Sequence, residues 1–275
     1  MKRIGMMALL MAFAAALAVW TGIAGMERNE AAVAAFAPVE ENVFALETEP
    51  PAQAEFAIEV LGVGQEERKR VLIYHTHTYE AFAQVEGDRY QETEKWRSAD
   101  SRYNMVRVGE ELAALLRGLG VDVVHDTTAF EPPVLSSAYS RSLDMLSRRR
   151  AEGETYDLYI DLHRDAYIES QKGPNAVDVN GAKAARLMVL IGNGQSFDEK
   201  PNWESNLAIA RSITDSLNRQ AEGLCREVSV KSGRYNQHAA DGCILIEAGN
   251  NRNTLEEVLC AMPYLADAIC ETLGM

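Results

Sequence analysis

The chain is 275 residues long and carries 41 Asp and Glu against 27 Lys and Arg, a formal net charge of −14, with 47% hydrophobic residues. That balance leaves no strongly basic face to neutralise phosphates, so the composition excludes a nucleic-acid binder. Beyond a non-globular N-terminus, roughly 220 residues remain, enough for one α/β domain with a full core.

In chain order, Lys2 and Arg3 precede an apolar run from Ile4 to Gly25, with no charge until Glu27. At about 21 residues this run is long enough to cross a bilayer and exceeds the roughly 7 to 15 of a secretory h-region. Residues 1–26 are therefore expected to form a transmembrane anchor with its N-terminus in the cytoplasm. A signal peptide cleaved near Ala16-Leu17-Ala18 is the alternative, and either way the remainder is exported. Residues 27–55 are rich in Ala, Glu and Pro, with Pro38, Pro50 and Pro51, and are expected to be a disordered linker. The catalytic domain is expected over 56–275, in the cell membrane's outer compartment on a single-pass tether.

From Phe56 onward, short apolar runs alternate with longer helical stripes. Strands are predicted at Val71–Tyr74, Val121–His125, Leu158–Leu162, Leu187–Ile191 and Ile244–Ile246. Val108, Leu112, Leu115, Leu116 and Leu119 recur at i, i+4, i+7, i+8 and i+11, which predicts an amphipathic helix, and Tyr139–Arg150 and Trp203–Asn218 carry similar stripes. Thr254 followed by Glu257 is a capping box opening the last helix, which Pro263 is expected to bend or interrupt. The short basic clusters at Arg68-Lys69-Arg70 and Arg148-Arg149-Arg150 read as solvated strand entries and helix ends. Strands alternating with helices predict an α/β fold: an open, twisted, mostly parallel sheet with helices on both faces. Cys225, Cys243, Cys260 and Cys270 lack the spacing of a structural zinc site, and the sequence leaves disulfide or free thiol open.

Three strand ends carry the chemistry: His75-Thr76-His77-Thr78-Tyr79-Glu80, Asp161-Leu162-His163-Arg164-Asp165 and Glu247-Ala248-Gly249-Asn250. If His77 and Glu80 lie in a first helical turn, their spacing of three puts both on one face, and His163 would add a third ligand from a neighbouring strand end. Two imidazoles and a carboxylate with an open fourth position make a hydrolytic zinc (Zn2+) site. His75 competes with His77 as the ligand, because residues two apart on an extended strand share a face. Asp161 or Asp165 would accept the free ring N–H of His163. Arg164 would bind a substrate carboxylate or pair with Asp165. His75, Arg164, Asp165 and Asn250 are the candidates for supporting or substrate contacts. Glu247 closes an apolar strand, where a carboxylate must face a cleft or an ion, and is the expected general base. His125 and His238 are read as non-ligands.

These stretches, with Val106-Arg107-Val108-Gly109, His125-Asp126, Arg234-Tyr235-Asn236-Gln237 and Asn253-Thr254, resemble the stage II sporulation protein P family over Arg70 to the C-terminus. The resemblance implies a zinc-dependent N-acetylmuramoyl-L-alanine amidase, with endopeptidase activity on peptide cross-links, that thins septal peptidoglycan during forespore engulfment. It also implies the fold of the broader zinc amidases and, as partners, stage II sporulation proteins D and M. In those broader amidases the second ligand glutamate lies farther along, at the helix after the first motif. The equivalent stretch here, Ser101–Asn104, has no Glu, which favours Glu80. A zinc carboxypeptidase-like peptidase and a non-catalytic wall-binding scaffold are the alternative readings.

Overall fold

The computed structural model describes residues 68–170 and 173–275. The expected anchor, the linker and the first residues of the expected catalytic domain lie outside the described residues. Among the described residues, no helix is long and apolar enough to cross a membrane.

Strand β1 (Arg70–Tyr74) is followed by α1 (Met105–Gly118), β2 (Asp122–His125), α2 (Ala138–Ala151) and β3 (Leu158–Asp165). Then come a hairpin of β4 (Ala176–Val179) and β5 (Ala182–Ala185), strand β6 (Leu187–Gly192), α3 (Trp203–Gln220), β7 (Ser229–Lys231), β8 (Cys243–Asn250) and α4 (Leu255–Thr272). Six strands form one sheet in the order β2-β1-β3-β8-β6-β7. All neighbours are parallel except β6 and β8, which run antiparallel. The anticipated mostly parallel α/β sheet is thus the one found, with the pair β6–β7 reversed relative to the rest.

Alternation along the strands sorts the side chains onto two faces. Val71, Ile73, Leu158, Ile160, Leu162, Ile244 and Ile246 pack with α1, α3 and α4 in the larger core. Leu72, Tyr74, Tyr159 and Cys243 face the other way and pack with Ala138, Met145 and Leu146 of α2. A single helix on that second face covers only part of it, so strand residues beyond its reach are free to be polar. Successive crossovers place β2 on one side of β1 and β3 on the other. The reversal of strand order between β1 and β3 opens a crevice at their C-terminal ends, where an α/β sheet collects its functional groups.

Three local expectations are corrected or narrowed. Residues 75–80 form a turn rather than the first turn of a helix, and the Glu80 N–H donates to the His77 carbonyl at 3.2 Å, which brings the two residues together by the same i, i+3 spacing. Pro263 sits inside α4 without ending it. Its ring is exposed, while Met262, Leu265 and Ala266 are buried on either side, so packing of the inner face carries the helix across one missing hydrogen bond. Arg149 is not simply solvated: it pairs with Asp126 at 2.8 Å and with Glu154 at 2.8 Å, tying α2 to the end of β2. All four cysteines are free thiols, with only Cys260 partly exposed.

The capping box at α4 is present as read: Thr254 Oγ1 accepts from Glu257 N at 3.1 Å, and the Glu257 carboxylate accepts from Thr254 N at 3.2 Å. Thr254→Ala is expected to lower unfolding free energy by about 1 kcal/mol. A urea titration would read this as a lower midpoint at unchanged slope; an unchanged midpoint would show the cap to be dispensable.

Candidate metal centre and active site

His77 and Glu80 come from the turn after β1, His163 from the C-terminal part of β3, and Glu247 from within β8. His163 and Glu247 are direct partners across the β3–β8 pairing, so their side chains leave the sheet on the same face. That face is the one α2 only partly covers. Glu80 Oε2 lies 3.5 Å from His163 Nδ1, and the rings of His77 and His163 meet edge to face with centroids 5.2 Å apart. Tyr139, at the start of α2, lies over both, 5.5 Å from the His77 ring and stacked 6.4 Å from that of His163.

The structure separates the two histidines that the sequence left in competition. Strand β1 ends at Tyr74, so the extended alternation that would put His75 and His77 on one face stops before it reaches them. His75 is fully buried; its Nδ1 bonds the Leu162 carbonyl at 2.9 Å and its Nε2 meets His125 Nε2 at 2.9 Å. Burial, with the neighbouring His125, holds its pKa down to about 3, so the ring is neutral. Because a carbonyl only accepts, Nδ1 carries the proton, and the bare Nε2 accepts from His125. Both nitrogens of His75 are therefore engaged, and only His77 reaches the crevice.

Other candidates have defined places. Asp161, fully enclosed, accepts from Thr76 N and Thr76 Oγ1 at 2.8 and 2.7 Å and lies 2.8 Å from His163 Nε2, so it is Asp161 rather than Asp165 that stands behind His163. Asp165 instead pairs with Arg226 at 2.7 Å. Arg164 neither pairs with the Asp165 carboxylate nor faces the crevice freely. Its guanidinium donates to the carbonyls of Ala81 at 2.9 Å, Trp96 at 3.0 Å and Asp165 at 3.3 Å, and its backbone N–H reaches Glu80 Oε2 at 3.2 Å. It clamps the 81–96 loop beneath Glu80. Asn250 closes the turn after β8, accepting from Arg252 N at 2.9 Å and donating through its side chain to Asn175 Oδ1 at 2.9 Å. His238 is enclosed near Glu199, away from these groups, with its Nε2 3.8 Å from that carboxylate.

Electrostatics fit a cation. Glu80 and Asp161 together hold the His163 imidazole well above its usual pKa against the burial that would lower it. Burial alone would raise Glu80, but its contacts with His163 and Arg164 outweigh this and bring it to about 2. Glu247 is driven by burial up to about 8, with Glu80 and Asp165 adding to the rise and His163 opposing it. Among the described residues, no three His, Cys, Asp or Glu side chains already surround a single point as an ion would hold them. Even so, His77 Nδ1 and Glu247 Oε2 are enclosed without hydrogen-bond partners. Two imidazoles with several inward-facing carboxylates have the donor chemistry that zinc takes, so the residues present fit that group.

Sequence reasoning missed Tyr139 and Glu131. Tyr139 opens the helical stripe Tyr139–Arg150, and nothing in that stripe marks it as a site residue. Glu131 lies in a loop next to two prolines with no motif around it. The Arg234-Tyr235-Asn236-Gln237 stretch does line this region: Asn236 donates to the Tyr139 carbonyl at 2.8 Å, and Gln237 bonds both Gly192 N and Leu190 O at 2.9 Å. Tyr235 is thereby brought to 6.1 Å from Tyr139.

A family model described as stage II sporulation protein P matches residues 27–270. The chain belongs to the stage II sporulation protein P family. A curated member, stage II sporulation protein P of Bacillus subtilis (strain 168), is 26% identical over 216 residues, covering 74% of this chain. The chain spans about half the length of that relative, 51%. Among solved structures, the chain is similar to the CwlD amidase from Clostridioides difficile in complex with the GerS lipoprotein (12% identity, TM-score 0.47, 75% of this chain and 97% of that one). It is also similar to the N-acetylmuramoyl-L-alanine amidase AmiC2 of Nostoc punctiforme (15% identity, TM-score 0.45, 74% of this chain and 94% of that one).

Proposed function

We propose that this family member is a zinc-dependent peptidoglycan hydrolase that cleaves the amide between N-acetylmuramic acid and the L-alanine of the stem peptide, and also peptide cross-links. The observation that carries the reading is the gathering of His77, Glu80 and His163 at one strand-order crevice with Glu247 beside His163. In this reading His77, Glu80 and His163 hold the zinc, which when bound polarises the amide carbonyl and makes water a better nucleophile near neutral pH. Glu247 takes the proton from the attacking water and delivers it to the amine as the C–N bond breaks. A cation in the crevice would draw the Glu247 carboxyl down from about 8 toward the range where a base works at neutral pH. Asp161 fixes the orientation of His163, and Arg164 holds the loop that carries Glu80.

The same reading assigns residues 1–26 to a single-pass membrane anchor and 27–55 to a linker, with residues 56–275 as the hydrolase outside the cytoplasm. Its setting is septal wall thinning and forespore engulfment in sporulation, with stage II sporulation proteins D and M as partners. It draws on the composition of those segments and on family membership. The test is to incubate the purified protein with cross-linked peptidoglycan, with and without a chelator, and identify products by mass spectrometry. Chelator-sensitive release of stem peptides beginning with L-Ala, restored by added zinc, is the expected result. Shortened or uncrosslinked stems would add the endopeptidase. No release from a folded, zinc-loaded protein would overturn the hydrolase reading in favour of a binding role.

A further inference from the structure

Glu131 is enclosed, 6% exposed, in the loop before α2. One of its oxygens, Oε1, accepts from the backbone N–H of Tyr79 at 3.2 Å and pairs with Arg97. Tyr79 lies between His77 and Glu80, so this carboxylate braces the turn that carries both. The same oxygen is 3.8 Å from His77 Nδ1, a ring nitrogen that is enclosed and has no hydrogen-bond partner.

His163 shows the same arrangement at closer range. Its Nδ1 faces Glu80, and its other nitrogen, Nε2, lies against the buried Asp161 carboxylate at 2.8 Å. Each imidazole of the crevice therefore has a carboxylate behind it: Asp161 for His163 and Glu131 for His77. As a brace, Glu131 accepts the Tyr79 N–H, and Arg97 matches its charge, so the carboxylate is not enclosed unpaired. A carboxylate beside an unpartnered ring nitrogen does more, because it selects which nitrogen carries the proton.

We propose that Glu131 is the positioning residue for His77: it accepts the Nδ1 proton, fixes the ring's tautomer and orientation, and leaves Nε2 as the metal-binding nitrogen. The 3.8 Å separation would shorten to hydrogen-bond length when the ring takes its metal-binding orientation. This rests on the reading that His77 holds zinc. It adds a residue that touches neither substrate nor metal and acts through His77 alone.

Two measurements on the full-length protein test it. Zinc affinity is measured by competition with a chromogenic chelator for the wild type, Glu131→Gln and Glu131→Asp, with thermal unfolding recorded for each. Glu131→Gln is expected to bind zinc about 10- to 100-fold more weakly, with Glu131→Asp recovering part of the loss. In the His77→Ala background, Glu131→Gln should weaken binding no further, since its effect passes through that ring. The second measurement needs no variant: imidazole 15N shifts of the zinc-loaded wild type should show His77 protonated at Nδ1 and metallated at Nε2. Unchanged affinity in a folded Glu131→Gln protein, an equal loss in the His77→Ala background, or metallation of His77 at Nδ1 would each overturn the proposal while leaving the metal site standing. A wild type that binds no zinc would overturn the metal reading and this proposal together.

Discussion

Glu247→Gln is expected to lower turnover on peptidoglycan by about 10²- to 10⁴-fold, the range that a positioned general base contributes, with zinc affinity changed little. The substitution keeps the shape of a side chain whose Oε2 is enclosed and whose strand neighbours, Ile246 and Ala248, are fully buried. It removes the proton-accepting oxygen while sparing His77, Glu80 and His163. Because burial already opposes charge on Glu247, the neutral amide should leave folding stability unchanged or slightly raised. Turnover within about threefold of the wild type would remove Glu247 as the base. Loss of zinc together with activity would make it a ligand instead. Initial rates and bound metal, measured on the same preparation, separate these results.

Gly109→Ala is expected to destabilise the protein even though alanine is the better helix former. Helix propensity by itself favours the substitution by about 1 kcal/mol. Against this, a Cβ at Gly109 would lie 2.5 Å from His125 Nε2, 2.6 Å from His75 Nε2 and 2.7 Å from His75 Cε1. These atoms are not the loose ends of flexible chains: His75 is held to the Leu162 carbonyl and to His125, and it is fully buried. Overpacking of this kind costs about 1–3 kcal/mol and sometimes more, and loss of the His75–His125 hydrogen bond adds about 1 kcal/mol, so the net sign is destabilising by roughly 2 kcal/mol. The displacement also bears on the crevice, because His75 precedes the turn carrying His77 and contacts the residue before His163. A lowered urea midpoint with weakened zinc binding is the expected pair of results. A variant as stable as the wild type or more so would mean that α1 shifts freely and that the imidazole pair does not fix it.

The Val106-Arg107-Val108-Gly109 stretch shows how a sequence feature can be visible while its reason is not. The apolar period of α1 is a local property and predicted the helix. The need for glycine at one position of it depends on two histidines that arrive from β1 and β2. Similarly, the i, i+3 relation of His77 and Glu80 was legible, although a turn rather than a helix realises it. Asn180-Gly181, at φ values of 55° and 84°, closes the β4–β5 hairpin with a turn that has a local signature. The flanking strands are only four residues each, β4 interrupted by Asp178 and β5 mostly alanine, so they do not announce themselves, and the hairpin was missed.

By itself the sequence determined the features set by neighbours a few residues apart: the apolar runs of β1, β3 and β8, the stripes of the helices, the capping box at Thr254, and the placing of His77 and Glu80 after β1 and of His163 near the end of β3, whereas Glu247, expected to close its strand, lies within β8. Tertiary structure alone decided the partners. It turned His75 toward Leu162 and His125 and left His77 facing the crevice, gave Arg164 to backbone carbonyls, chose Asp161 over Asp165 behind His163, and brought Glu131 and Tyr139 to a site that nothing adjacent to them in sequence marks. Periodicity and capping are written in consecutive residues because backbone geometry repeats over a few positions. The direction and partner of a polar side chain at a strand end depend on which other segments the sheet order brings within hydrogen-bond reach, and that is settled only when the chain has folded.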